Sequence, residues 1–289
     1  MGLLAALAPP AYSCTRALMT TAPLPSDTEL AEALIPAAIE AGRAILEVRA
    51  GHVAVSHKAD SSPVTEADRA AEAIILRHLA RIAPGVPVVA EEAVEAGRLP
   101  EVGRAFFLVD PLDGTKEFVK GGDDFTVNIA LVRDHVPVMG IVLAPATDTL
   151  YAGVAGRGAW AADALRPGDR RSISVRAPAE KIDVVASKSH RTPETDEYIS
   201  RYQVGDLVSA GSSLKFCLVA EGKADLYPRM GTTMQWDTAA GDAVLRAAGG
   251  SVEAVDGGAL LYGPNGAEGV AAFRNPWFIA SGKVPILSV

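Results

Sequence analysis

The chain has 289 residues, of which 49% are hydrophobic and 21% charged, and its formal net charge is −8 at pH 7. That length suits one large domain or two smaller ones, and the composition is that of a soluble globular protein. No apolar run approaches the roughly 20 residues of a membrane helix. The acidic balance excludes a broad nucleic-acid surface, although a small anionic substrate needs only a local basic patch.

The cysteines and the N-terminus bear on where the protein works. Cys14 and Cys217 are too few for a disulfide framework, so we expect a reducing, cytoplasmic location. Residues 1–25 are rich in Ala and Pro and lack the basic-then-apolar order of a secretory signal. We expect them to form a disordered extension. Met19 could instead be the true start, which would make residues 1–18 an artefact, and a weak targeting segment is the remaining alternative.

The N-terminal half predicts helices packed on a mixed sheet. Ser26–Glu29 has the spacing of a capping box and opens a helix to about Gly51, and a second cap at Thr65–Asp68 opens another that ends at Pro84. Apolar runs predict strands at 86–90 and 105–109, after which the chain is expected to reverse at Pro111 and Gly114. Three further runs predict an antiparallel meander, at 125–132, 136–143 and 150–154.

The C-terminal half alternates strands with helices, which indicates an α/β arrangement. Strands are predicted at 182–186, 206–209 and 224–227, and helices at 193–201, 212–221 and 237–248. The polar stretch 165–178 separates the two patterns. We therefore expect an α+β metal-binding part over residues 26–178 and an α/β substrate-binding part over residues 179–289.

Acidic residues recur where predicted elements end. The stretch Asp110–Thr115 has the sequence Asp-Pro-Leu-Asp-Gly-Thr, the pair Glu91-Glu92 follows another apolar run, and Asp237 opens a helical pattern. If these carboxylates meet, they form the all-oxygen environment that Mg²⁺ prefers. No cluster of His or Cys favours zinc.

Each of these acidic residues also has a purely structural explanation. Asp, Pro and Gly are good turn formers, so an isolated Asp-Pro-Leu-Asp-Gly is more often a turn than a metal site. Asp237 could be only a helix N-cap, and Glu92 could be a solvated surface residue. We expect Glu91 rather than Glu92 to be the metal ligand.

The chain resembles the inositol monophosphatase-like, lithium-sensitive phosphatases, which carry an Asp-Pro-Leu/Ile-Asp-Gly-Thr turn and a later Trp-Asp. Both motifs are present, at Asp110–Thr115 and at Trp236-Asp237, and the resemblance covers roughly residues 27–280. Within the family, four segments are similar to the bisphosphate nucleotidases: residues 110–118, 125–131, 211–222 and 236–241. The resemblance implies a layered αβαβα sugar-phosphatase fold, as in inositol monophosphatase and fructose-bisphosphatase, with the active site between the two halves.

The resemblance also implies a ligand set for two or three Mg²⁺ ions. It assigns Glu91, Asp110 and the Leu112 carbonyl to one ion, and Asp110, Asp113 and Asp237 to a second. Thr115 and Asp68 match the pair that orients and deprotonates the attacking water. An acid in the first turn of a helix is also favourable without any chemistry, so Asp68 has a structural alternative. Inhibition by Li⁺ at a Mg²⁺ site follows from the same resemblance.

Substrate contacts are expected from groups around the metal site. Free backbone N–H groups of Gly114 and Thr115 at a helix start suit a phosphate, and Asp237 is expected to contact substrate as well as metal. Ser212 and Lys215, three residues apart at another helix start, are predicted to face the same way and hold a second phosphate, unless they are a cap serine and a solvated lysine. Arg229 offers bidentate phosphate recognition. His190 has a counterpart near the nucleotide in bisphosphate nucleotidases.

The resulting expectation is an enzyme with a small phosphate substrate. It would remove the 3′-phosphate of adenosine 3′,5′-bisphosphate with Mg²⁺, giving AMP and phosphate in sulfur assimilation, and could also act on the sulfated relative of that nucleotide. Inositol-1-phosphate or fructose-1,6-bisphosphate hydrolysis is the alternative within the same chemistry. A non-catalytic Mg²⁺ or nucleotide sensor is the alternative from another class. A homodimer is expected by family analogy only.

Overall fold

The computed structural model describes residues 24–51, 55–57 and 63–288. The predicted extension over residues 1–25 therefore lies outside the described residues except for its last two positions. The first helix, α1 (Asp27–Ala50), begins at the predicted capping box. The Ser26 hydroxyl accepts a hydrogen bond from the Glu29 amide at 3.3 Å, and the Glu29 carboxylate accepts one from the Ser26 amide at 2.8 Å.

The N-terminal half continues with two short strands, three helices and a large sheet. In chain order these are β1 (Val55–His57), β2 (Pro63–Thr65), α2 (Glu66–Ile82), β3 (Val88–Ala90), α3 (Glu91–Glu95), β4 (Ala105–Asp113), α4 (Thr115–Val119), β5 (Thr126–Arg133), β6 (Val136–Ala144), β7 (Thr149–Val154), β8 (Gly158–Asp163) and β9 (Arg171–Ile173). The sheet has the order β3-β4-β5-β6-β7-β8-β9. The predicted meander is confirmed as β5, β6 and β7, which pair antiparallel.

The C-terminal half builds a second sheet. Its elements are β10 (Ile182–Ser187), α5 (Pro193–Ile199), β11 (Val204–Ala210), α6 (Leu214–Ala220), β12 (Leu226–Arg229), α7 (Gln235–Ala247), β13 (Ser251–Ala254) and β14 (Phe278–Ser281). The five strands have the order β11-β10-β12-β14-β13. The predicted alternation is confirmed, with β13 and β14 as additions to it, while β8 and β9 extend the predicted meander of the larger sheet.

The turn motif lies inside a strand, which corrects the expected reversal at Pro111. Strand β4 continues to Asp113, and its pairing with β5 shifts between Asp110, opposite Asn128, and Asp113, opposite Thr126. Three steps on β4 therefore face two on β5, so β4 contains a bulge of one extra residue. A bulge tolerates Pro111 because a residue there need not donate to the ladder.

The elements stack in five layers, which confirms the αβαβα order. Helices α1 and α2 cover one face of the seven-stranded sheet, α6 and α7 lie between the two sheets, and α5 packs on β12 of the five-stranded sheet. Helix α7 approaches the larger sheet at Gly140 and Gly153. A Cβ at Gly140 would lie 2.2 Å from the Ala240 carbonyl oxygen, so only glycine permits this contact.

None of the helices in the described part of the chain is long and apolar enough to cross a lipid bilayer.

Candidate active site

A buried carboxylate marks the centre of the candidate site. Asp110 is 2% exposed, where β4 bulges. Burial raises the pKa of Asp110 well above its usual range, and the nearby carboxylates raise it further, in the order Glu91, Asp113, Asp237 and Asp68. Four acids from separate elements therefore surround a fifth, as the acidic motifs predicted.

Two of these acids come from helix starts on the N-terminal side. Asp68 lies in the first turn of α2 and is 2% exposed. Glu91 is the first residue of α3 and lines the cleft. Its neighbour Glu92 donates its backbone N–H to the Glu72 carboxylate at 2.9 Å. The backbone of Glu92 is thus part of the α2–α3 packing, whereas Glu91 faces the cluster.

The other two acids join the two halves of the protein. Burial raises the pKa of Asp113, and Lys215 opposes that rise. Burial, followed by repulsion from Asp113, raises the pKa of Asp237 to about 7. Asp237 is the third residue of α7, which begins two residues earlier than predicted, and its carboxylate accepts the Met234 amide at 2.9 Å. It therefore caps the helix while also facing the cluster.

The motif turn is held by its own hydrogen bonds. The Asp110 carboxylate accepts the Leu112 amide at 3.0 Å, and the Thr115 hydroxyl donates to the Leu112 carbonyl at 3.1 Å. Gly114 has φ +94°, and a Cβ there would meet the Asp124 carbonyl at 2.7 Å. Helix α4 has only five residues, so its dipole is that of a single turn. The backbone amides of Gly114 and Thr115 must therefore supply the expected contact with phosphate.

The donor set fits a hard divalent cation. Among residues 24–51, 55–57 and 63–288, no three His, Cys, Asp or Glu side chains already stand in ligating geometry. A bound cation would nevertheless stabilise the cluster, because the neighbouring carboxylates raise the pKa of the buried Asp110. The ionised carboxylates of the cluster repel each other, and a bound cation would offset that repulsion. Oxygen donors of this kind suit Mg²⁺.

Ser212 and Lys215 do not project together from a helix, which corrects the prediction. Helix α6 begins at Leu214, and Ser212 precedes it with φ +46°. The Lys215 ammonium turns back and donates to the Ser212 carbonyl at 2.5 Å. Lys215 is 4% exposed rather than solvated, and burial lowers its pKa to about 8 against the opposing pull of Asp113. The Ser212 hydroxyl is buried and has no hydrogen-bond partner among the described residues.

Arg229 and His190 lie on the same side of the cleft. The buried Arg229 guanidinium donates to the carbonyls of His190 at 3.2 Å and Thr232 at 3.0 Å. Its Nε is buried without a partner in the described part of the chain. The His190 ring contacts the Lys116 ammonium at 3.1 Å. Burial lowers the pKa of His190, and the charges of Arg229 and Lys116 lower it further.

One cleft of about 450 Å³ unites these groups. Apart from Asp68, Asp110 and Leu112, every predicted site residue lines it: Glu91, Asp113, Gly114, Thr115, His190, Ser212, Lys215, Arg229 and Asp237. Sequence reasoning missed Glu117, which is buried, and Arg274, on the segment before β14. Arg274 carried no signal, whereas Glu117 directly follows the motif turn.

The family follows from comparison with known proteins. A model of the Inositol monophosphatase family matches residues 26–282. The chain belongs to this family.

Individual relatives carry more specific names. The 3'(2'),5'-bisphosphate nucleotidase CysQ of Escherichia coli (strain K12) is 44% identical over 243 residues, which cover 83% of this chain and 95% of that protein. The crystal structure of CysQ from Bacteroides thetaiotaomicron matches with a TM-score of 0.73 and 39% identity, covering 89% of this chain and 98% of that one. A histidinol-phosphatase of Mycobacterium tuberculosis is 38% identical over 224 residues, covering 75% of this chain and 82% of that protein.

Proposed function

We propose that this protein is a Mg²⁺-dependent phosphatase that removes the 3′-phosphate of adenosine 3′,5′-bisphosphate, leaving AMP and inorganic phosphate. The observation that carries the proposal is one cleft that combines two kinds of group. It joins the carboxylate cluster around Asp110 to two buried donors, Ser212 Oγ and Arg229 Nε, that have no hydrogen-bond partner among the described residues. The similarity to proteins named bisphosphate nucleotidases supports the same substrate.

The metal end would use five groups. Glu91, Asp110, Asp113, Asp237 and the Leu112 carbonyl are the oxygen donors that would hold two or three Mg²⁺ ions. When bound, the metal supplies charge stabilisation for the phosphoryl oxygens and lowers the pKa of a water.

The protein's own groups would direct the water. The Thr115 hydroxyl donates its hydrogen bond to the Leu112 carbonyl, so its oxygen can accept a hydrogen bond from a water held in the cleft and orient that water. Asp68 lies close enough to Asp110 to raise its pKa, and its carboxylate is the base we propose to receive the proton of that water. The amides of Gly114 and Thr115 would hold a phosphoryl oxygen.

Ser212 and Arg229 would form the second-anion site. Leaving a buried donor unpaired costs about 1–3 kcal/mol, so the Ser212 hydroxyl and Arg229 Nε favour a ligand that accepts hydrogen bonds. Lys215 adds positive charge to the same cleft, and the exposed His190 also lines it. A substrate with two anionic groups would engage both the metal ions and these donors, whereas a monophosphate would leave the donors unpaired.

The finer consequences are part of the same proposal. Replacement of the 5′-phosphate by a phosphosulfate keeps an anion at the second position, so the sulfated relative would also be hydrolysed, in sulfur assimilation. Li⁺ would inhibit by competing for the carboxylate cluster. We further propose a cytoplasmic location and allow for a homodimer.

A second candidate is a phosphatase for a different monoester. The relative named histidinol-phosphatase favours this alternative, because that name and CysQ occur at comparable identity to this chain. Inositol-1-phosphate and fructose-1,6-bisphosphate are the other candidates from the family.

Product identification tests the proposal. Purified protein with Mg²⁺ is incubated with adenosine 3′,5′-bisphosphate, and the nucleotides are separated by chromatography. We expect 5′-AMP and one equivalent of phosphate. Release of adenosine 3′-monophosphate would contradict the proposed orientation, and binding without phosphate release would favour the non-catalytic sensor.

A further inference from the structure

The buried side chain of Glu117 links the segment after the Asp110–Thr115 turn to a loop in the C-terminal half of the protein. Glu117 lies on α4, two residues after Thr115, and is 8% exposed. Its carboxylate accepts a hydrogen bond from the Ser189 hydroxyl, which follows β10 in the other half of the protein. A glutamate on a short surface helix is ordinarily solvated. Its burial here therefore needs a reason.

Ser189 belongs to a short loop, Ser187–His190, that contributes to the proposed second-anion site. The Ser187 hydroxyl accepts the His190 amide at 3.1 Å, and the His190 carbonyl accepts the Arg229 guanidinium at 3.2 Å. Any displacement of this loop therefore moves His190 and removes one of the hydrogen bonds that hold Arg229. Glu117 joins the loop to α4 through its hydrogen bond with Ser189, and Lys116 of the same helix contacts the His190 ring at 3.1 Å.

A second acid supports the same contact between the halves. The Asp124 carboxylate accepts the Lys188 ammonium at 3.2 Å and the Gly211 amide at 3.3 Å. A Cβ at Gly211 would lie 2.6 Å from Asp124 Cβ and 3.4 Å from Glu117 Cγ. The segments that follow β10 and β11 are thus packed directly against the segment that follows the motif turn.

The charges in this region explain why an acid occupies the position. Four cationic or ionisable bases lie on this side of the cleft: Lys116, His190, Lys215 and Arg229. Burial, followed by the charges of Arg229 and Lys116, lowers the pKa of His190, and Glu117 opposes that effect. The Glu117 carboxylate therefore holds its hydrogen bond and also offsets repulsion that would push the loop away.

We propose that Glu117 is a positioning residue that, through Ser189, holds the Ser187–His190 loop and Arg229 at the distance from the carboxylate cluster required by a substrate with two anionic groups. This inference rests on the proposed function of the cleft. It assigns to Glu117 no contact with the reacting phosphate.

Kinetics on paired substrates test the proposal. Glu117→Ala, Ser189→Ala and the double variant are compared on adenosine 3′,5′-bisphosphate and on adenosine 3′-monophosphate, which lacks the second anion. Each single change should raise KM for the bisphosphate about tenfold or more while kcat for the monophosphate stays within about twofold. The double variant should be no worse than either single variant, because both remove the same hydrogen bond.

Two control variants separate position from charge and from general stability. Glu117→Gln keeps an acceptor for Ser189 but loses the charge that offsets repulsion, so its KM for the bisphosphate should lie between those of the native protein and Glu117→Ala. The exposed Glu101→Gln should change nothing. Equal losses on both substrates, or additive effects in the double variant, would overturn the proposal.

A measurement without turnover distinguishes failure of this inference from failure of the proposed function. Ser189→Ala changes no charge, yet it should shift the NMR signals of the His190 ring, whereas Glu101→Gln should not. An unchanged His190 signal in Ser189→Ala contradicts the positioning role even if the enzyme hydrolyses neither nucleotide. A shifted signal with no nucleotide hydrolysis contradicts only the proposed substrate.

Discussion

The hydroxyl of Thr115 donates a hydrogen bond to the carbonyl oxygen of Leu112 at 3.1 Å, across the turn at the end of β4. The geometry fixes the direction of the Thr115 proton, so the oxygen lone pairs point elsewhere. The same Leu112 carbonyl is one of the oxygens we propose as a metal ligand. The turn therefore couples the group that orients water to the group that holds the cation.

Removing this hydroxyl should affect chemistry more than binding. Thr115→Val keeps the shape of the side chain but loses both the hydrogen bond and the acceptor for the water proton. We expect kcat to fall about 100-fold, within the usual range for a proton-transfer group, with KM nearly unchanged. Thr115→Ser is the control and should retain most activity. An unchanged kcat in Thr115→Val would contradict the role of the hydroxyl, and a large loss in Thr115→Ser would show that the methyl group matters as well.

Asp113 should lower the free energy of unfolding when no metal is bound and raise it when Mg²⁺ is bound. Burial raises its pKa, so above that pKa the charged form costs stability that the protonated form does not. Asp113→Asn removes the charge at nearly constant volume. We expect a higher melting temperature in chelator and at least about a 100-fold loss of kcat with Mg²⁺.

Mg²⁺ itself should stabilise the native protein. At 100 times its dissociation constant, an ion that binds only the folded state adds about 2.7 kcal/mol to the free energy of unfolding. We expect a calorimetric scan of the protein with Mg²⁺ to melt higher than one in chelator, and the increase to be much smaller in Asp113→Asn. An equal increase in the variant would remove Asp113 from the ligand set.

Sequence reasoning succeeded where local chemistry determines structure and missed what the tertiary packing decides. The capping box at Ser26 and the alternating apolar runs of the meander depend on neighbouring residues, so they were predictable. Strand β8 has an Ala-rich sequence without a strand pattern, and only its pairing with β7 makes it a strand. The turn at Pro111 was misplaced because a bulge depends on the partner strand.

The candidate site was likewise predicted only in part from the sequence. The acidic motifs indicated a single cluster, and the charges around Asp110 agree with that expectation. Lys215 was expected to be a solvated or phosphate-facing lysine, but its ammonium is buried against the Ser212 carbonyl. Glu117 directly follows the motif turn, but its partner Ser189 is 72 residues away in the chain, so the sequence did not indicate their hydrogen bond.

His190 should report on an anion in the cleft. The chain has five histidines, and the ring of His190 can be assigned by comparison with His190→Gln. Burial and the charges of Arg229 and Lys116 lower its pKa below 6.5, so the ring should titrate at lower pH than an exposed histidine. Inorganic phosphate bound beside Arg229 would offset those charges and raise the pKa of His190. A titration that does not respond to phosphate would place the anion elsewhere.

Close packing of α7 on the large sheet should make Gly140 sensitive to substitution. A Cβ at this position would lie 2.2 Å from the Ala240 carbonyl and 2.9 Å from the Ala243 Cβ. Gly140→Ala should lower the free energy of unfolding by about 1–3 kcal/mol. Gly103→Ala is the matched control, since its Cβ would contact nothing within 4 Å. Denaturant unfolding of both variants checks this, and equal stabilities would contradict the close approach.

The most direct test of the central claim is phosphate release by the purified protein with Mg²⁺, measured as kcat/KM on adenosine 3′,5′-bisphosphate, inositol-1-phosphate, fructose-1,6-bisphosphate and histidinol phosphate. A cleft that combines a carboxylate cluster with buried donors lacking partners among the described residues predicts a preference for the bisphosphate nucleotide of at least about tenfold, which corresponds to about 1.4 kcal/mol in the transition state. Equal or better turnover of inositol-1-phosphate or histidinol phosphate would contradict the nucleotide assignment.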